Sequence, residues 1–442
     1  MSDKIKIVYS WIGPRGPIWN TELPNVLSFS AVSEGTQSTS HRFWTDDLWR
    51  TIFQHADDQF EIYPACGIDV KDDRPFIFPM SLAWRISFEN YFVGDTGIME
   101  FAHMPGHLIQ LLREGNGYLL IDHSVEAFMS HGYLNAMHGY FQGVHGIPLH
   151  KIIYLTGCIN SKAIYDEYCL VKGIPDDKYN RLTIVSYPSS QNIFKPNVER
   201  TEDEPIYNTE YVPDKLFLMW NRRYRPHRIA FSLFLEDHGL IERSLISFSD
   251  VEIERPTIKF KDAANVYNLQ MLYTGTTQEL IDRFASKLPL VIDGETNINQ
   301  MCEDRGNVSR SYYQNTLVSI ITETNFTQNE VTLTEKSYKP IKEKHPFIIL
   351  GVNGALQGMR DAGFKTFSDF WDESYDTIQD PRLRLEAAMQ IVKDISAWDD
   401  NKIREFKRNV KPILDYNFNL LKDSSPRNIA LTLSNIVRNT HE

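Results

Sequence analysis

Two side chains of opposite charge stand together in Thr334-Glu335-Lys336-Ser337, and their setting suits a phosphorylated ligand. Upstream, Val318-Ser319-Ile320-Ile321-Thr322 is the β-branched run of a buried parallel strand, followed by Glu323-Thr324-Asn325-Phe326. Downstream, Lys339-Pro340 leads to a second strand, His345-Pro346-Phe347-Ile348-Ile349-Leu350-Gly351. Open α/β sheets bind ligands beyond the carboxyl ends of their strands, so Glu323, Thr334, Glu335 and Lys336 are expected in that crevice. Thr334 can cap the helix, and Glu335 can accept hydrogen bonds from sugar hydroxyls. Lys336 and the first-turn N–H groups suit a diphosphate.

A second constellation is Trp220-Asn221-Arg222-Arg223-Tyr224-Arg225-Pro226-His227-Arg228, at the end of the strand Lys215 to Trp220. Arginine offers planar, permanently charged donors matched to phosphate oxygens, so Arg222, Arg223, Arg225 and Arg228 read as an anion clamp. The competing reading is a solvated basic face, or ion pairing with acidic parts of the chain. A third group is Asp122, at the end of the strand Gly117 to Ile121, with His123 and Glu126 within about one helical turn. Asp122 stands where a general base for a hydroxyl would be placed, with His123 and Glu126 as substitutes or orienting groups. Asp122 could equally be a helix cap, since Asp is a preferred one.

These residues need strands and helices in alternation, and the sequence supplies them. Lys4 to Ser10 reads as an opening strand running into a Gly/Pro loop, Trp11 to Pro17. Gly117 to Ile121 is followed by Val125 to Phe128, which suits a helix. Lys151 to Leu155, a helix from Ser161 to Lys172 and the strand Leu182 to Ser186 complete the pattern. Such alternation implies α/β architecture with parallel sheets. Between Pro188 and Asp214 periodicity gives way to Pro, Asn and the acidic run Glu199 to Glu204, the mark of a linker.

Thr334-Glu335-Lys336 with its aromatic, Lys-Pro and Gly-terminated strand resembles the donor-binding segment of fucosyltransferase-like GT-B glycosyltransferases. The run Gly363-Phe364-Lys365-Thr366-Phe367-Ser368-Asp369-Phe370-Trp371-Asp372-Glu373-Ser374-Tyr375-Asp376 is similar to phage-encoded sugar transferases. The resemblance spans roughly residues 215–385, and the N-terminal half matches only in general layout. It implies a GT-B fold, two Rossmann-like domains with parallel sheets facing across a cleft. Residues 1–190 would form the acceptor domain, 191–214 the linker and 215–442 the donor domain, whose C-terminal helix, the segment Lys402 to Leu421, crosses back to the first. Glu335 would bind the nucleotide ribose and Lys336 the phosphates.

The implied function is glycosyl transfer from a nucleotide sugar, with no other cofactor. The phage-like run points to a DNA-modifying transferase whose acceptor is a hydroxymethylated pyrimidine presented by base flipping. A glycan or small-molecule acceptor, or a non-catalytic nucleotide- or glycan-binding module, are the alternatives. The chain lacks Asp-x-Asp, the metal-diphosphate motif of GT-A enzymes, which favours a metal-independent reaction relying on Arg, Lys and helix N-termini.

Composition narrows the field. A chain of 442 residues exceeds one hydrophobic core, and 42% hydrophobic with 24% charged residues is ordinary for a globular protein. Of the net charge of −12, residues 1–210 hold −10 (16 Lys and Arg against 26 Asp and Glu), which disfavours broad DNA binding by that half and suits a glycan or small acceptor. Cys66, Cys158, Cys169 and Cys302 are scattered and read as reduced thiols. Seven of the 13 histidines lie between His103 and His150, but His103-Met104-Pro105-Gly106-His107 cannot present two ligands on a regular helix face, so no metal site is expected. Without a membrane-length apolar run or signal core, a cytoplasmic protein is expected, in the host cytoplasm if phage-encoded.

Overall fold

A computed structural model describes residues 4–9, 11–13, 16–18, 42–43, 52–64, 68, 74–81, 106–124, 127, 129–189, 191, 209–221, 223–252, 255–292 and 310–439. Contacts divide the chain into two units, 1–192 joined by 425–442, and 193–424. The architecture is mixed α/β with two parallel sheets.

The first unit contains β1 (Ile5–Tyr9), a small antiparallel group β2 (Trp11–Gly13), β3 (Gly16–Ile18) and β4 (Arg42–Phe43), then β5 (Phe60–Pro64) and β6 (Phe76–Ser81). The expected Gly/Pro loop after β1 is thus partly a hairpin. Next come α1 (Gly106–Glu114), β7 (Gly117–His123), α2 (His131–His138), β8 (Ile152–Thr156), α3 (Ser161–Lys172) and β9 (Thr183–Ser186). The six-stranded sheet has the order β5-β1-β6-β7-β8-β9, every pairing parallel. Numbered by appearance within the sheet, that is 2-1-3-4-5-6, a doubly wound order whose switch point lies between β1 and β6.

Alternation along the strands sends successive side chains to opposite faces. Val8, Phe78, Leu119, Ile121 and Tyr154 pack with α1, α2 and α3. Ile5, Ile7, Ile77, Leu120 and Ile153 pack with Phe53 and with Ile429, Leu433 and Val437 from the far end of the chain.

The second unit runs β10 (Phe217–Trp220), α4 (Pro226–Asp237), β11 (Ser244–Ser247), the hairpin β12 (Val251–Glu252) and β13 (Arg255–Lys259), then α5 (Phe260–Val266), α6 (Gln278–Ala285) and α7 (Arg310–Gln314). It continues with β14 (Val318–Thr322), α8 (Glu335–Lys342), β15 (Phe347–Leu350), α9 (Ala355–Asp361), α10 (Pro381–Ser396) and α11 (Asp400–Asp423). Its sheet has the all-parallel order β11-β10-β14-β15, or 2-1-3-4, with the switch point between β10 and β14.

The closing helix, α12 (Arg427–Asn439), belongs to the first unit and not to the second, so the expected span 215–442 ends early. Apolar burial holds it there, and Arg427 makes a two-pronged ion pair with Asp58 at 2.9 and 3.0 Å. No helix among the described residues is long and apolar enough to cross a membrane.

Candidate functional site

The arginine cluster and the Glu335-Lys336 pair follow β10 and β14, the two strands that flank the switch point of the second sheet. There the connections leave toward opposite sides and open a crevice. Their carboxyl ends are tied by Thr322, whose Oγ1 donates to Asn221 Oδ1 at 2.6 Å. Arg222 lies outside the described residues.

Glu323 sits in this crevice region but faces inward. It is 1% exposed, and its carboxylate accepts from Thr334 N (3.0 Å), Thr334 Oγ1 (2.6 Å), Ser337 Oγ (2.6 Å) and Thr324 N (3.3 Å). A buried carboxylate needs such donors, and here they fasten the start of α8 to the end of β14. Thr334 is the N-cap of α8, accepting from Lys336 N. Lys336 Nζ bends back to Glu335 Oε1 at 2.9 Å and to Thr334 Oγ1 at 3.2 Å. Burial pushes the Glu335 carboxyl up, but the neighbouring Lys336 charge and hydrogen bond more than offset that and bring it to about 2. The Glu335 and Lys336 side chains retain 36% and 24% exposure, so both can reach a ligand.

Arg228 is 2% exposed, with Nη2 donating to the carbonyls of Thr322 (2.9 Å) and Glu323 (3.2 Å) and Nη1 to Arg223 O (3.2 Å). Burial, then the adjacent Arg225 charge, lower its pKa to about 10, so it stays cationic at neutral pH. Its charge therefore lies beneath the crevice while its fork organises the loop after β14. His227 Nε2 lies 3.0 Å from Glu323 O; a carbonyl can only accept, which fixes the proton on Nε2. Burial holds His227 well below the usual histidine range, hence neutral. Its ring stacks on Phe326 at 4.7 Å, and Arg384 from α10 covers the Phe326 ring at 4.7 Å. Arg384 also donates to Gly351 O (3.1 Å) and Ile378 O (2.6 Å), so α4, α8 and α10 all hold this loop.

Three helices begin at the carboxyl edge of this sheet, and they differ in charge. The start of α8 carries the Glu323 carboxylate, and α9 is capped by Asp376, which accepts from Leu356 N and Gln357 N at 2.9 Å. The third, α4, has Arg225 at its N-cap and Pro226 at N1, with no side-chain cap and no acidic residue in its first turn. Beside it, Arg225 Nε, Arg228 Nε and Asn221 Nδ2 have no hydrogen-bond partner among the described residues. An uncapped helix N-terminus flanked by guanidinium groups concentrates positive potential, the electrostatics that suits an anion.

Sequence reasoning missed Asn221, Thr322, Phe326 and Arg384. Arg384 gave no signal, because one arginine on an amphipathic helix reads as solvated. The Gly363 to Asp376 run also builds the core of the second unit. Phe367 and Tyr375 are buried, and Glu373 accepts from Arg360 (2.8 Å), Thr366 (2.6 Å) and Phe367 N (2.8 Å).

In the first unit Asp122 is the next-to-last residue of β7, beside Ser81 of β6, 5% exposed, its Oδ1 accepting from Ser124 N at 2.9 Å. That closes a local turn and not a helix; α2 starts later and is capped by Ser130. His123 is 1% exposed and lies 2.7 Å from Tyr133 OH and 3.0 Å from Tyr154 OH, an inward network. Burial raises both tyrosines well above their ordinary range. Glu126, Val125 and Phe128 lie outside the described residues, and so does the helix expected there. Among the described residues, no three His, Cys, Asp or Glu side chains converge as metal ligands would.

No family model matches the chain, and neither does any curated protein. A solved structure, the N-terminal domain of trehalose-6-phosphate phosphatase from Candida albicans, is similar over 100% of this chain and 97% of its own, with 11% identity and a TM-score of 0.44. A likeness at that level decides neither fold family nor chemistry. The resemblance to sugar transferases therefore stands on the sequence of roughly residues 215–385 alone.

Proposed function

We propose that the protein is a nucleotide-sugar-dependent glycosyltransferase of GT-B type, with its donor site in the second unit. The observation that supports this reading most is the uncapped N-terminus of α4, with Arg225, Arg228 and Asn221 beside it, at the switch point between β10 and β14. A diphosphate placed there gains helix-dipole and guanidinium stabilisation as leaving-group charge develops, with no metal in the scheme. Glu335, half-exposed and ionised, is the acceptor for ribose hydroxyls, and Lys336 adds a cation. Arg228, His227 and Glu323 position the loop and the helix. Asp122 is the candidate base that takes the acceptor proton. The acceptor this reading favours is the hydroxymethyl group of a modified pyrimidine in DNA, and it rests on the phage-like run alone.

Calorimetry with nucleoside diphosphates and nucleotide sugars tests the donor site. Arg225→Ala and Lys336→Ala should each weaken binding about tenfold or more, as loss of a charge-assisted hydrogen bond does. Asp122→Asn keeps the turn acceptor at Oδ1, so fold and donor affinity should persist while turnover falls by about 10²–10⁴. Unchanged donor affinity in both binding-site variants overturns the assignment, and tight binding without hydrolysis or transfer would make the protein a binding module.

A further inference from the structure

Among helices of eight or more residues whose N-caps are described, two begin without a side-chain cap: α4 in the second unit and α3 in the first. The others are capped by Ser130, Thr277, Thr334, Asp380 and Asp399. Helix α3 has 12 residues and follows β8 through the turn Gly157 to Asn160 at the carboxyl edge of the sheet. Its N-cap residue, Asn160, turns Oδ1 to Cys158 Sγ at 3.1 Å instead of to the first-turn N–H groups. The first turn, Ser161-Lys162-Ala163-Ile164, carries no carboxylate.

A second observation points to a ligand. Ser161 is 1% exposed, and its Oγ has no hydrogen-bond partner among the described residues. Cα–Cβ bonds in a helix tilt toward its N-terminus, so this hydroxyl is directed to the end where the uncapped N–H groups open. Ser189 Oγ is likewise without a partner among the described residues and 8% exposed. Its segment crosses the same edge, with Tyr187 N donating to Thr156 O at 2.7 Å and Ser189 N to Ser124 O at 3.3 Å. A buried hydroxyl left unpaired costs about 1–3 kcal/mol, so two at one strand edge call for an acceptor.

We propose that the first unit carries its own phosphate-binding site at the N-terminus of α3, built from the first-turn N–H groups and the Ser161 hydroxyl. A phosphate brings an acceptor oxygen to the Ser161 hydroxyl, which has none among the described residues, and its charge meets the positive end of the helix dipole. Lys162, exposed and 3.2 Å from Asp166 one turn on, can swing to add a cation. Because this half of the chain is acidic, such a site must act through these local donors and not through the overall field. The phosphate could belong to a nucleic-acid strand or to a small phosphorylated molecule.

The site is independent of the donor reading and is tested with that one silenced. In full-length Arg225→Glu protein, equilibrium dialysis with radiolabelled inorganic phosphate should show about one bound phosphate per chain. Adding Asn160→Asp supplies the missing cap, keeps the acceptor for Cys158 and places a carboxylate on the helix end. It should hold or raise the melting temperature while weakening phosphate binding tenfold or more, and Ser161→Ala should weaken it severalfold. A short single-stranded oligodeoxynucleotide that binds at least tenfold tighter than phosphate, and is lost in the same variant, identifies a nucleic-acid strand as the source. Equal binding of oligonucleotide and phosphate, with the same loss, identifies a small phosphorylated molecule. No phosphate bound in the Arg225→Glu protein, or binding unaffected by Asn160→Asp, overturns the proposal.

Discussion

Glu323 illustrates how far a residue's role depends on what folds back onto it. Its position at the end of β14 is legible from the apolar run before it, yet position alone cannot tell a ligand-facing carboxylate from one that ties a helix down. The deciding partners, Thr334 and Ser337, lie 11 and 14 residues later and reach it only because the loop returns over the strand end. Glu323→Gln tests this. The amide would set an N–H against the Thr334 and Ser337 donors, leaving buried groups unpaired at about 1–3 kcal/mol each. The thermal transition of the second unit should drop by several degrees, and a Glu323 that served only a ligand would leave it unmoved. Arg228 follows the same logic. Its type and place were readable, but its use on the carbonyls of Thr322 and Glu323 depends on residues almost a hundred positions away.

Among elements, those with strong local patterns were legible and those defined by distant partners were not. Helix α3 spans Ser161–Lys172 as its sequence predicts, because polar and apolar residues alternate at helical spacing and Gly173 ends it in the left-handed conformation. β11, Ser244–Ser247, escaped notice because two of its four residues are serines, and its strand character comes from pairing with β10. Helix α12 escaped the sequence reading, whose last helix is Lys402 to Leu421, and which sheet it covers is a matter of packing. Leu433 and Val437 are fully buried against the first sheet. Leu433→Ala should therefore destabilise the first unit by about 2–5 kcal/mol, as truncation of buried leucines does. Differential scanning calorimetry should show one transition lowered and the other unchanged; a shift of the second unit's transition instead would reassign the helix.

At the scale of the whole chain, alternation of strands and helices announced the two parallel sheets, and the doubly wound orders 2-1-3-4-5-6 and 2-1-3-4 place the arginine cluster and Glu335 at a switch point without any appeal to composition. The same burial that builds the second unit has a consequence in acid. His227 is 3% and His345 1% exposed. Burial, aided for His345 by the Lys407 charge, lowers His345 to about 4, and burial with the Arg228 charge holds His227 well below its usual range. Unfolded, both titrate near 6.5. Between pH 6.5 and about 4 the unfolded chain therefore binds protons that the folded unit refuses, so stability is highest above 6.5 and falls as pH falls through this window. Each histidine contributes a slope of up to about 1.4 kcal/mol per pH unit. Ordinary carboxylates titrate mainly below pH 5, so the interval from 6.5 to 5 isolates the histidines. The unfolding free energy of the second unit, measured by denaturant titration, should decrease steadily across it. His345→Asn should roughly halve that slope whatever it does to the absolute stability, because a slope counts protons and not contacts. A parent flat from pH 6.5 to 5, or a variant with the parental slope, would mean that these imidazoles are solvated and that burial is not what holds His345 neutral.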